Sequence, residues 1–282
     1  MLQAVIIFLI LGIIITVIFI SPILTKQRRN RIKKRSFPAL WNAILENNLP
    51  IYLQLSPAER QRLRGHIQIF LAEKQFIGCR GLQVTAEMKL TIASVACLLL
   101  LNERGEYFPK LRSILVYPST YFVNQTVAVS DYVITERRDA RLGESWTKDQ
   151  VILSWKQVQE DTQNWRDGRN VVLHEFAHQL DQEDGKADGV PILPHNSDYQ
   201  MWSRVMTAEF YQLCYHVQQD MRTVIDSYGA TNTAEFFAVA TETFFEKPQQ
   251  LLQEHSALYE LLKRYYQLDP IQWVEAGSIP NV

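Results

Sequence analysis

Five residues constrain this chain more than any others: His174-Glu175-Phe176-Ala177-His178, an HExxH pattern set among apolar neighbours. Residues four apart share one helical face, so both imidazoles can reach one metal ion. Glu175 lies beside them, placed to take a proton from the attacking water rather than to bind the metal. Val171, Val172, Leu173, Phe176, Ala177 and Leu180 make this helix deeply apolar. Burying two histidines and a glutamate there without partners would cost roughly 2–7 kcal/mol for each unpaired polar group. A shared metal removes that penalty. Imidazole and carboxylate ligands at a tetrahedral site with one open position favour zinc, one ion per chain.

Two histidines need a third protein ligand. The metzincin pattern calls for a glycine and a further histidine downstream, where this chain has Asp181 and Asp184. That extension fails, with an Asp ligand at either position still open. The other source is a following helix. Residues 232–246 read NTAEFFAVATETFFE, with Glu235, Glu242 and Glu246 at spacings of seven and four. Seven residues is about two turns, so Glu235 and Glu242 face the same way. Acids interleaved with Phe236, Phe237, Val239, Phe244 and Phe245 are poor candidates for solubilising charge. Spacing alone leaves open which of the two binds metal.

The amino terminus points to a membrane. From Ala4 to Ile20 the only polar side chain is Thr16, and there is no charge. Extended to Leu24, the run would be roughly 32 Å long as a helix, about one hydrocarbon core. Basic residues follow the apolar run (KQRRNRIKKR) instead of preceding it, the reverse of a cleaved signal peptide. The expectation is a retained single-span anchor over 1–25 and a basic juxtamembrane segment over 26–36 with affinity for anionic lipid. The positive-inside rule puts the amino terminus outside and the remaining domain, 37–282, on the cytoplasmic side.

Charge and cysteine content exclude other classes. The net charge of −1 hides an asymmetry, since seven of the 29 Lys/Arg lie within residues 1–35, which contain no acid. The rest of the chain carries a formal −8, a poor surface for direct nucleic-acid binding. Three widely spaced cysteines (Cys79, Cys97, Cys214) exclude a disulfide scaffold and a Cys-type zinc finger.

Local patterns predict an α+β fold, mainly helical with a small central sheet. Ser56-Pro57-Ala58-Glu59 has the form of a capping box, followed by an apolar face of Leu63, Ile67, Phe70 and Leu71. A core helix should follow Thr85 to about Leu101. Short strands are expected before Pro118, at Val127–Val129 and at Val151–Trp155. Helices are expected over about 168–182, 199–220, 233–246 and 249–267, with Trp202, Met206, Phe210, Leu213 and Val217 in register on the second. His66, His195, His216 and His255 read as surface residues.

These residues resemble the Mlc titration factor A proteins, a family of gluzincin-type zinc peptidases with a zincin-like domain. The resemblance spans roughly Pro38 to Val274. It is carried by HEFAHQLD (174–181), Asp184-Gly185 with Gly189-Val190-Pro191, and Tyr228 followed by AEFFAV (234–239). ILVYP (114–118) and Gly143-Glu144-Ser145-Trp146 add to it. The resemblance implies His174, His178 and Glu235 as zinc ligands and Glu175 as catalytic base, with Glu242 supporting them from behind. On the same footing, Asp181 would orient a ligand imidazole, and the Tyr228 hydroxyl would stabilise the oxyanion of the tetrahedral intermediate. It also implies aminopeptidase-like cleavage of small peptides and association with the glucose repressor Mlc, although no motif here matches the repressor contact.

The sequence thus predicts a membrane-anchored zinc peptidase acting on peptide or protein substrates through zinc-activated water. An intramembrane protease is excluded, because HExxH lies about 150 residues from the apolar run. The rival is a tethered regulator that sequesters a partner protein such as a transcriptional repressor, with zinc bracing the fold. A third reading is a zinc hydrolase acting on a non-peptide amide. An exposed edge at Val151–Trp155 would favour peptide, because an extended substrate could pair there.

Overall fold

The computed structural model describes residues 20–102, 106–119, 121–130, 133–141, 143–147 and 149–277. The expected anchor therefore lies outside the described residues up to position 19. Among the described residues, no helix is long and apolar enough to cross a membrane. Residues 20–33 are helical (α1). The basic segment expected to lead away from a membrane is here docked on the body. Arg29 grips Glu73 through Nε and Nη2 at 2.9 and 3.0 Å, reaches Glu106 through Nη1 at 2.6 Å, and lies over the Tyr107 ring. Ile32 enters the core beside it.

The helices α2 (Ala39–Asn48) and α3 (Pro57–Glu73) follow. The capping box forms as its residues predict: Ser56 Oγ accepts from Glu59 N–H, and Glu59 Oε2 accepts from Ser56 N–H. Leu63, Ile67 and Phe70 of α3 are buried. His66, expected in solvent, is only 2% exposed, because its Nδ1 shares a 2.7 Å hydrogen bond with the Tyr107 hydroxyl. After β1 (Gln75–Gly78), Thr85 caps α4 (Ala86–Leu98), whose central place in the core is shown by the burial of every residue from Leu90 to Leu101.

The strands β2 (Ser113–Tyr117), β3 (Tyr121–Ser130), β4 (Val133–Arg141), β5 (Gly143–Thr147) and β6 (Gln150–Ser154) come next. One sheet has the order β1-β2-β6-β5, with β2 parallel to both β1 and β6 and β5 antiparallel to β6. β3 and β4 form a separate antiparallel hairpin. The strand expected at Val151–Trp155 stops at Ser154, whose hydroxyl caps α5 (Trp155–Gln163) by accepting from Gln157 N–H. The condition that its edge be exposed is not met: β6 is paired on both sides, and β5 is the terminal strand among the described residues.

The remaining helices are α6 (Val171–Asp181), α7 (Asp198–Gln218), α8 (Thr233–Glu246), α9 (Pro248–Glu254), α10 (Ser256–Tyr266) and α11 (Ile271–Gly277). On α7 the predicted stripe holds for Trp202, Met206 and Leu213, loosens at Phe210 and ends before the exposed Val217. The single helix expected over 249–267 is two. They part at His255, a residue read as surface, which is 6% exposed and bonded through Nδ1 to Glu209 at 2.7 Å.

The HExxH helix α6 packs against α4, α8, β5 and β6, so its apolar faces are covered while its histidine face meets α8. Phe176 is fully buried, with its ring centroid 4.8 Å from that of Phe108 and 5.6 Å from that of Phe70. Phe176→Ala should therefore cost about 3–5 kcal/mol, seen as a lower urea midpoint at unchanged slope.

Candidate metal centre

The site begins at the turn before α6. Asn170 is fully buried, and its Oδ1 accepts from the N–H groups of Val172 and Leu173, satisfying two donors that a helix start leaves unpaired. The next such donor, Val171 N–H, goes to Asp161 Oδ2 at 2.7 Å. With α6 started in this way, His174 and His178 emerge one turn apart, their ring centroids 4.8 Å from each other.

Three donor atoms converge. His174 Nε2 is 3.0 Å from Glu235 Oε2, His178 Nε2 is 3.3 Å from the same oxygen, and the two Nε2 atoms are 3.2 Å apart. Nitrogens and oxygens bound tetrahedrally to one zinc at 2.0–2.1 Å would lie about 3.3 Å from one another. The triangle therefore matches a zinc ion in size as well as donor type. Glu235 sits in the first turn of α8, whose cap is Asn232.

Glu242 stands two turns along α8 and does something else. Its Oε1 takes His174 Nδ1 at 2.8 Å, and its Oε2 takes Asn170 N–H at 2.5 Å. With the Nδ1 proton directed at a carboxylate, loss of the Nε2 proton leaves a lone pair pointing into the triangle. The question that spacing left open between Glu235 and Glu242 thus has a geometric answer, since Glu235 shares the triangle and Glu242 backs one of its corners.

The field at the centre follows from these placements. Burial by itself would raise the Glu235 carboxyl, but hydrogen bonds from both imidazoles and their charge pull it down to about 2. Burial opposes a charge on His174, yet Glu242 and Glu235 outweigh it and raise the imidazole well above its ordinary pKa. Glu175 is 3% exposed and its Oε2 has no hydrogen-bond partner among the described residues. Burial raises its pKa to about 7, against the opposing charges of His174 and His178.

Tyr228 lies at the open side of the site, 54% exposed, its ring centroid 6.0 Å from that of His174. Asp226 fixes the turn that carries it by accepting Tyr228 N–H, and Arg169 pairs with the same aspartate. Asp181 differs from expectation. Its Oδ2 accepts from Gly189 N–H at 3.0 Å, with Val190 N–H beside it, and it is Glu242 that bonds an imidazole. Asp181 thereby fastens the 189–191 loop to the end of α6. Gly189 is required there, with φ +80°, because a Cβ would come within 2.3 Å of the Thr233 carbonyl oxygen at the head of α8. The sequence reading missed Asn170, Asp161 and the place of Glu246. Asn170 carried a visible signal, as a capping residue directly before an apolar run.

An HExxH helix joined by a carboxylate from a second helix is the donor arrangement of a class of metal-dependent hydrolases. Comparison with known proteins makes the assignment definite: the chain matches the glucose-regulated metallo-peptidase M90 family over residues 24–267 and belongs to it. It is 46% identical over 269 residues to an uncharacterized protein of Synechocystis sp., covering 95% of this chain and 98% of that one. It is 29% identical over 236 residues to the Mlc titration factor A of Klebsiella pneumoniae, covering 83% and 88% respectively. With that of Salmonella schwarzengrund it shares 28% over 245 residues, covering 84% and 89%.

Two outcomes are expected of this centre. Glu242→Gln turns an amide N–H toward a donor and should weaken zinc binding about 10–100-fold, measured by chelator competition. Glu242 and Glu235 raise the His174 pKa in the metal-free protein, and zinc binding requires the neutral imidazole. Zinc affinity should therefore climb as pH rises toward that pKa and level off above it, with the proton released on binding read as a buffer-dependent heat in calorimetry.

Proposed function

We propose that the protein is a zinc-dependent peptidase, tethered to a membrane by its N-terminal apolar run with its catalytic domain on the cytoplasmic side. The observation that carries the peptidase reading is the pairing of a zinc-sized donor triangle with a buried carboxylate, Glu175, whose Oε2 has no hydrogen-bond partner among the described residues. Membership of a metallo-peptidase family supports it independently.

His174, His178 and Glu235 would hold the ion, which supplies a Lewis acid able to acidify water and polarise a carbonyl. Glu175 takes the proton of the attacking water and delivers it to the leaving nitrogen; its raised pKa suits a group that must both accept and donate near neutrality. Glu242 keeps His174 in one tautomer through the cycle. Tyr228, exposed beside His174, donates its hydroxyl to the substrate oxygen as negative charge builds there. β5, the terminal strand of its sheet among the described residues, packs against the HExxH helix α6, and its outer edge is where an extended peptide would pair.

The names of the enterobacterial relatives favour a second reading, in which the chain titrates a regulatory protein and zinc braces the fold. The two readings part at Glu175. Full-length protein purified in detergent without chelator would be assayed for metal and for cleavage of a peptide library, beside Glu175→Gln. The peptidase predicts zinc retained in both and turnover lower by roughly 10²–10⁴-fold in the variant. Tyr228→Phe should lower kcat by roughly 10–100-fold with little change in KM. Equal zinc with no cleavage by the wild type would favour the regulator.

A further inference from the structure

The stripe of glutamates on α8 has a third member that the proposed chemistry leaves without a role. Glu242 and Glu246 stand seven and eleven residues beyond Glu235, each within about 20° of it around the helix, so the three side chains share a strip about 40° wide. Glu235 meets the imidazoles, and Glu242 bridges His174 to the backbone of Asn170. Glu246 closes the far end. Its Oε2 accepts from Gly168 N–H at 3.0 Å and Arg169 N–H at 3.2 Å, and its Oε1 accepts from Asn170 Nδ2 at 3.1 Å.

Every polar group of Asn170 is thereby used. Its N–H goes to Glu242, its Oδ1 caps α6, its Nδ2 goes to Glu246, and its carbonyl accepts from His174 N–H at 2.9 Å. Only a side chain with an acceptor and a donor on one short planar group can cap α6 and reach Glu246 together. Asn170 lies one turn before His174, on the same face of α6. Turning or sliding α6 by one residue moves a side chain by about 100° and 1.5 Å, far more than the donor triangle tolerates.

We propose that Asn170 and Glu246 are positioning residues: their hydrogen bond locks α6 against α8 in the one register that brings His174 Nε2 to Glu235. This rests on the reading that His174, His178 and Glu235 hold a metal ion. The pair touches neither substrate nor ion. It acts on the centre through Asn170, Glu242 and His174.

The test exchanges donor and acceptor. Asn170→Asp keeps the cap and removes the Nδ2 donor; Glu246→Gln keeps the size and turns an N–H toward a donor. Each single variant of the full-length chain should bind zinc about tenfold more weakly, a loss of the size known for partners behind a metal ligand. The visible bands of the cobalt-substituted protein should shift as well. The double variant Asn170→Asp/Glu246→Gln rebuilds the bond with its polarity reversed and should return to within about threefold of wild type, a non-additivity expected only of groups that act through each other. A merely structural role would lower the melting temperature of the metal-free protein and leave zinc affinity and the cobalt spectrum unchanged in the singles. That result overturns the proposal, as does a double variant no better than the worse single.

Should the singles fail to fold, wild type alone decides. Coupling is reciprocal, so zinc must slow amide exchange at Gly168, Arg169 and Asn170; unchanged exchange there overturns the lock. Wild type that binds zinc no better than His174→Ala would instead overturn the metal reading on which the lock rests.

Discussion

The structure depends on a polar seam laid through an apolar core. α6 and α8 each bury a run of aromatic and aliphatic side chains, yet the faces they turn toward each other hold two histidines, three glutamates and an asparagine. A seam of that kind would split a core unless nearly every group in it were paired. It is closed by Glu242 and Glu246, which absorb the N–H groups of residues 168–170 together with the His174 and Asn170 side chains. Asp161 takes the next donor along. The groups that start α6 and the groups that aim its histidines are therefore the same groups.

One consequence is that stability and site geometry are not separable near α6. The hydrogen bonds at its first turn hold the helix start, and the same bonds set where His174 points. At the other end Asp181 ties the helix to the 189–191 loop, and Gly189 lets that loop press against the first turn of α8, two residues before Glu235. Glu175 stands apart from those bonds: it is buried with one oxygen unpaired among the described residues, as Asp181 Oδ1 also is, and burial raises its pKa to about 7.

Where the sequence was legible, the signals were short-range. The Ser56–Glu59 capping box, the all-round apolar α4, the strand before Pro118 and the bounds of α8 depend on residues within a turn or two of one another. Where it misled, a distant partner intervened. His66 looked solvated because its helix is charged, and Tyr107, far along the chain, draws it inside. His255 looked like a surface residue within one long helix, and Glu209 of α7 draws it inward at the point where α9 and α10 part. Val151–Trp155 read as a strand, but its pattern left open whether an edge was exposed, and pairing with β2 and β5 covers both sides.

The division falls clearly at the candidate centre. The HExxH spacing places two imidazoles on one face by helix geometry alone, and the apolar residues around it already demand a partner for them. The rank of the glutamates on α8 is different. Glu235, Glu242 and Glu246 share one face, so any of them could meet the histidines if the helix were slid or tilted. What separates donor from support is where α8 lies against α6. That depends on the packing of Phe236, Phe237, Phe244 and Phe245 into the common core and on the hydrogen bonds at Asn170. Periodicity is a property of one helix, whereas the meeting of two helices is fixed by surfaces contributed from the whole chain.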